Sequence, residues 1–191
     1  MSLAFIKDKQ MSNTGIQDLL RRRRSIRKYT GAALEKQKVN LLIEALLRSP
    51  TSRNGRSWEF VLVDDRALLE RLSNCKPQGA AFLREAALGI VIAGDSAKTD
   101  VWVEDASIAG ILAQVAAESV GLGSCWIQIR NRSHDATSSA EQYVQRLLGL
   151  PENVKVVAII SVGQPAEEKP SLPTSDLPFA KVSRNRYSQR L

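Results

Sequence analysis

The chain is poor in the residues that metal and relay chemistry use. Its 191 residues include one histidine, His134, and two cysteines, Cys75 and Cys125, fifty positions apart. A single histidine leaves almost no material for a His-based metal site or a Ser/His/Asp relay, and the cysteines have neither CxxC nor zinc-ligand spacing. Both read as reduced, buried thiols, and His134 as a loop or surface residue. Aromatics make up only 5% of the chain, which is sparse for a groove that stacks bases between basic side chains. No apolar run approaches the roughly 20 residues a membrane-spanning helix needs, and the opening MSLAFIKDKQ lacks a long apolar signal region. A soluble cytoplasmic protein is expected. Neither a GxGxxG fingerprint nor a P-loop lysine motif is present, so no conventional nucleotide cradle is offered.

What is present starts with 43% hydrophobic residues, enough for one sizeable core. The positive charge is concentrated. RRRRSIRKYT, 21 to 30, holds six cations in its first eight residues, and the tail from Leu177 holds Lys181, Arg184, Arg186 and Arg190; without these two patches the formal charge of +7 becomes −3. A nucleic-acid surface, a membrane-surface anchor, a solvated helix end and a cradle for one phosphate all remain open for the first patch. If helix continues through it, Arg23 and Arg27 share a side, Ser25 adds a hydroxyl, and the guanidinium forks match phosphate oxygens.

Ile16, Leu19 and Leu20 give one narrow apolar helix face leading into the Arg run. Val39, Leu42, Ile43 and Leu46 give a second helix over 34–48, stopped at Pro50. After the polar loop TSRNGRS, WEFVLV (58–63) reads as a buried strand, with a helix at 66–72, a second strand at 88–93 and a long helix at 101–120 rich in Ala, Ile, Leu and Val. That helix reads as a core helix, able to serve as a dimer seam as well. GLG at 121–123 ends it ahead of a strand at 124–129. Ser138 and Glu141 have capping-box spacing before a helix that ends at Leu148, and VKVVAIISV (154–162) is the clearest strand. Beyond Gly163 the chain becomes an extended Pro- and charge-rich arm. Helices first and then strands separated by helices predict a three-layer mixed fold.

Four motifs occur in order: R-R-S-x-R (23–27), S-P-x-S-x-N-x-x-x-W (49–58), W-x-E-D-A-S-I-A (102–109) leading into G-L-G-S-C-W-I, and G-x-P-x-E-x-K-P (163–170). Together they resemble the FMN-dependent nitroreductase family over residues 14 to 187. The resemblance implies an α+β three-layer sandwich with a mainly antiparallel central sheet. It also implies a homodimer with FMN at the subunit interface and exchanged C-terminal arms. The corresponding division is a leader over 1–13, an FMN-binding domain over 14–165 and an arm over 166–191 that packs on the partner.

Carried over by motif, Arg23, Arg24, Ser25 and Arg27 would hold the FMN phosphate and ribityl oxygens, with Lys169 as a second phosphate contact. Pro50, Thr51, Ser52 and Asn54 would approach the flavin ring from the opposite subunit. Trp126, Ile127 and Gln128 would line its other side, where a backbone N–H can reach N5. The implied activity takes hydride from NADH or NADPH through FMN to an electron-poor small-molecule acceptor such as a nitroaromatic or quinone. No dedicated catalytic acid or base, metal, nucleic acid or membrane is called for. The alternatives are other reductive flavin chemistry, redox sensing through Cys125, or a basic nucleic-acid-binding protein. The chain departs from the family in having Arg56-Ser57-Trp58 where Gln-Pro-Trp is common, Gln128 where Gly commonly follows Trp-Ile, and Pro170-Ser171 where an Arg commonly follows the tail Lys. Part of the phosphate grip would then be missing, or supplied by Arg184 or Arg186.

Overall fold

The computed structural model describes residues 15–189; the expected leader lies outside the described residues. The chain forms two compact units. One is the continuous stretch Arg24–Lys169, and the other is drawn from the two flanking segments. Within the flanking unit, α1 (Ile16–Arg22) exposes Ile16 and Leu20 and buries nothing, while the tail carries single 3-10 turns at Thr174–Asp176 and Phe179–Lys181.

The larger unit is built on four strands, β1 (Trp58–Val63), β2 (Leu88–Asp95), β3 (Gly123–Gln128) and β4 (Val154–Gly163), all antiparallel in the order β1-β2-β4-β3. The period-2 alternation of a strand sends its neighbouring side chains to opposite faces. Leu88, Ile90 and Ile92 of β2 therefore pack with Leu42 and Leu46 of α2 (Lys36–Leu47) and with the Ala106, Ala109, Ala113 and Ala117 stripe of α4 (Trp102–Ser119). Val91 and Ala93 face the other way, toward Leu69 and Leu72 of α3 (Arg66–Ser73) and Val144 of α5 (Ala140–Leu148). The three-layer α+β architecture follows, with a core on each face of the sheet. The bulge between Ile92 and Ala93 restores the alternation after Val157, the extra residue on β4.

Three local expectations are corrected. WEFVLV is a strand but not a buried one: β1 is a sheet edge, with Glu59 exposed and Phe60, Val61 and Leu62 only half-buried. The capping box of α5 uses Ser139 and Gln142, one position later than Ser138 and Glu141, because Asp135 already claims the Ser138 hydroxyl at 3.0 Å along with three other donors of Thr137 and Ser138. Helix does not persist through the Arg run. α1 stops at Arg22, and residue 26 runs beside β3, its N–H donating to the Ser124 carbonyl at 3.0 Å.

That docking is made possible by two glycines. Gly123 and Gly163 face each other across β3 and β4. A Cβ on Gly123 would lie 2.8 Å from Ile26 Cγ2, and one on Gly163 would lie 2.8 Å from Tyr29 Cδ1. The paired glycines thus leave a notch that Ile26 and Tyr29 fill, both buried. The Tyr29 hydroxyl donates to the Ile26 carbonyl at 2.6 Å and lies 2.7 Å from Ser161 Oγ. Burial pushes its phenol well above the ordinary value, so it stays a protonated donor. Replacing Gly163 by Ala should overpack the notch and cost about 1–3 kcal/mol of stability. Urea unfolding checks this, and an unchanged midpoint would show that residues 24–30 shift aside at no cost.

Candidate functional site

The stretch 27–30 pairs with 164–167 in a short ladder. Thr30 N–H donates to the Gln164 carbonyl (3.0 Å), Ala166 N–H to the Lys28 carbonyl (2.9 Å), and Arg27 N–H to Glu167 Oε1 (2.6 Å). Two residues on, Lys169 Nζ donates to the Ser25 carbonyl at 2.7 Å and pairs with Glu167 Oε1 at 3.1 Å. Ser25, Arg27 and Lys169 are thereby brought together at the start of β3, although Arg27 and Lys169 lie far apart in sequence. The Arg27 guanidinium stands 5.8 Å from the Phe82 ring centroid. Arg24 shares this unit, while Arg23 closes α1 on the other side of the unit boundary.

β3 is the other sheet edge. In an antiparallel strand alternate residues turn their N–H and C=O groups to opposite sides. Ser124 accepts from Ile26 and Gln128 accepts from Lys76 Nζ (2.9 Å), both on the side away from β4. The backbone N–H groups of Trp126 and Gln128 point to that same edge. Ile127 is turned the other way twice, with its backbone toward β4 and its side chain buried in the α3 and α5 core. It has nothing to present to a ligand at the edge. The Gln128 side chain ties the wall together: its Oε1 accepts the Trp126 indole N–H and its Nε2 donates to the Arg130 carbonyl, each at 2.9 Å. Gly110 of α4 makes room for the Trp126 ring, since a Cβ there would be 2.7 Å from it.

The loop 50–57 lies across the sheet. It precedes β1, three strand spacings or about 14 Å from β3, so one chain does not bring Pro50, Thr51, Ser52 and Asn54 beside Trp126. Arg53, Asn54 and Arg56 all have left-handed backbone, at φ 50°, 56° and 46°. Such residues cost about 1–3 kcal/mol each and persist where their surroundings over-determine them. The clamp is buried Asp105 of α4, whose two oxygens accept from Ser52 N–H (2.9 Å) and Ser57 Oγ (3.1 Å). Thr51 Oγ1 accepts from Arg56 N–H, and Arg56 Nε donates to Asn54 Oδ1 at 3.2 Å. The cation that replaces the common Gln is thus turned onto its own loop.

Sequence reasoning gave no role to Asp105, Glu167 or Lys76. Asp105 and Glu167 lie inside quoted motifs, EDAS and EEKP, but nothing in their spacing shows what they clamp. Both thiols are buried and neither is in a disulfide. His134 lies in a loop, as expected, but is half-buried there, with its Nδ1 3.1 Å from the Cys75 carbonyl and its ring stacked on Tyr143 at 4.2 Å. No group of His, Cys, Asp and Glu among the described residues could hold a metal ion, and no helix among them is long and apolar enough to cross a membrane.

A model of the Nitroreductase family matches residues 20–76 and 74–164. The chain belongs to the nitroreductase family. A solved structure of an FMN-dependent nitroreductase from Clostridium difficile R20291 superimposes with a TM-score of 0.87 at 45% identity, covering 88% of this chain and 98% of its own. An NADPH-flavin oxidoreductase from Vibrio harveyi is 31% identical over 94% of this chain and 76% of its own length. An NAD(P)H-linked FMN reductase from Bacillus subtilis is 27% identical over 78% and 67%. In this nitroreductase-family chain the Gln128 side chain fixes the Trp126 ring.

Two outcomes are expected. Asp105→Ala removes a charged acceptor from two donors and should cost about 2–3 kcal/mol; it should also speed tryptic cleavage after Arg53 and Arg56, read by mass spectrometry. Burial pushes the Cys75 thiol from an ordinary value near 9 up to about 11. Between those values the unfolded chain loses this proton while the native chain keeps it, so stability falls as pH rises through the window. Urea midpoints measured from pH 9 to 11 should fall less in Cys75→Ala than in the parent.

Proposed function

We propose that this chain is an NAD(P)H-dependent FMN oxidoreductase acting as a homodimer, with one flavin site per chain assembled from both subunits. The observation that carries the reading is the shared edge of β3. A cationic corner of Arg24, Ser25, Arg27 and Lys169 lies at one end of it, and the N–H of Gln128 lies four residues, about 13 Å, along it. A ligand that meets both is elongated, anionic at one end and an acceptor at the other, which describes FMN. The Arg run then answers as a phosphate cradle, with Arg23 one peptide bond before it.

FMN, when bound, supplies two-electron chemistry between NAD(P)H and an electron-poor acceptor such as a nitroaromatic or quinone. The chain's residues supply placement. Arg24, Arg27 and Lys169 hold the phosphate, the N–H of Trp126 or Gln128 orients the ring, and the Trp126 side chain, fixed by Gln128, walls the acceptor space. Pro50, Thr51, Ser52 and Asn54 are assigned to the partner's site, because their own β3 lies across the sheet.

The dimer is supported by apolar surface that one chain leaves open. Leu41 and Leu47 of α2 and Ile108 and Ile111 of α4 are exposed, and Leu47 also lines a mainly apolar groove with Ile43, Leu46, Trp58, Phe60, Leu62 and the single charged residue Glu59. Contiguous patches of this kind mark interaction surfaces. Leu172, Leu177, Phe179 and Val182 of the tail are exposed too, which suits an arm that packs on a partner. A cytoplasmic setting, where NAD(P)H is at hand, fits the same reading.

Purified protein should show a flavin absorption spectrum and release about one FMN per chain on denaturation, as for a filled tight site. It should elute as a dimer. A colourless protein that takes up no added FMN overturns the cofactor assignment, and a monomer that binds FMN fully overturns the shared site.

A further inference from the structure

Glu167 is an anion standing where an anion is to be bound. Its Oε1 accepts the Arg27 N–H at 2.6 Å and pairs with Lys169 at 3.1 Å. Two readings of this contact make opposite predictions. The carboxylate either occupies the phosphate's place and must be expelled, or it arranges the cations that meet the phosphate.

The geometry favours arrangement. An ammonium has three donors on a flexible four-carbon stem, and fixing that stem costs side-chain entropy. Lys169 directs one donor to the Ser25 carbonyl at 2.7 Å and one to Glu167, and tetrahedral geometry then fixes the direction of the third. Glu167 can do this because its own backbone is already placed, one residue after the Ala166 rung of the 27–30 and 164–167 ladder. Its side chain supplies that ladder's last rung. Without it, Lys169 would be held by Ser25 alone on a chain leaving the sheet. The Arg27 N–H, and behind it Lys169, hold the Glu167 carboxyl below the usual carboxylate range, so it is a carboxylate near neutral pH.

We propose that Glu167 is a positioning residue for the phosphate end of the flavin site, setting Lys169 against Ser25 and Arg27 so that its remaining N–H meets a phosphate oxygen. The proposal rests on the FMN reading given above. It predicts a defect specific to the phosphate, since Glu167 touches no other assigned part of the site.

The test compares FMN with riboflavin, which lacks the phosphate, on apo protein by flavin fluorescence titration. Glu167→Gln keeps the shape and a neutral acceptor but loses the charge. It should weaken FMN by about tenfold and riboflavin by less than twofold. Lys169→Gln should weaken FMN similarly, and the double variant should lose no more than the larger single effect, because both act through one ammonium. FMN binding that is unchanged or tighter in Glu167→Gln overturns the proposal in favour of a competing carboxylate. Equal loss of both flavins overturns it in favour of a general structural role. If the parent binds neither flavin, the FMN reading itself fails. Inorganic phosphate then decides on Glu167 separately: a thermal shift in the parent that Glu167→Gln abolishes supports the positioning role, and equal shifts, or none in either protein, overturn it.

Discussion

The candidate site depends on the absence of two side chains. Gly123 and Gly163, paired across β3 and β4, leave the space in which Ile26 and Tyr29 are buried. That burial brings a segment dense in arginine against a sheet edge. Hydrophobic burial of these two side chains, worth roughly 1.5–3 kcal/mol for a large apolar side chain, offsets the cost of crowding like charges. The hydrogen bonds of 26–30 to Ser124 and Gln164 then fix which residues face out. Arg27 and Lys28 are exposed while Ile26 and Tyr29 are not.

The charge distribution follows from the same constraint. Clustered cations repel one another, and a fold tolerates them where backbone carbonyls and carboxylates interleave. Here the Ser25 carbonyl and Glu167 take Lys169, and Phe82 lies under the Arg27 guanidinium. Partial neutralisation lowers the resting repulsion, and two-donor anchoring lowers the ordering cost that a ligand would otherwise meet. A mildly acidic body with one preorganised basic corner differs from a broad basic face that tracks a polyanion.

The sheet and its helices were legible because their signals are local. VKVVAIISV has too few polar residues for anything but a strand buried on both faces, and the alanine spacing of 106, 109, 113 and 117 needs a flat neighbour at close range. The course of residues 23–27 was not legible, because helical spacing of Arg23 and Arg27 assumes that helix continues. Ile26 is instead buried in the notch beside Gly123, with its backbone bonded to Ser124. The capping shift at Ser139 has the same kind of origin: Asp135, upstream, took the Ser138 hydroxyl, and no spacing rule registers a competitor outside its window. For the site, motif order named the corner and the β3 wall. It placed Ile127 with Trp126 and Gln128, and only the period-2 alternation of an edge strand separates them.

The strained loop is the part that a single chain explains least. Three left-handed non-glycine residues within four positions cost several kcal/mol together, and Asp105 is buried to hold them. Within one chain they serve no wall, since β1 and β3 are opposite edges of the sheet. Such strain is tolerated where the conformation is used, and the proposed two-fold partner would return this edge to the Arg27 and Lys169 corner without altering the chain. In the proposed two-fold dimer each loop would meet the other subunit's β3. The exposed Ile108 and Ile111 lie on α4, the helix that also carries Asp105, so the clamp and the proposed apolar seam would share one rigid element. Association would therefore place the loop as a consequence of burying that face, so assembly and completion of the site are one event.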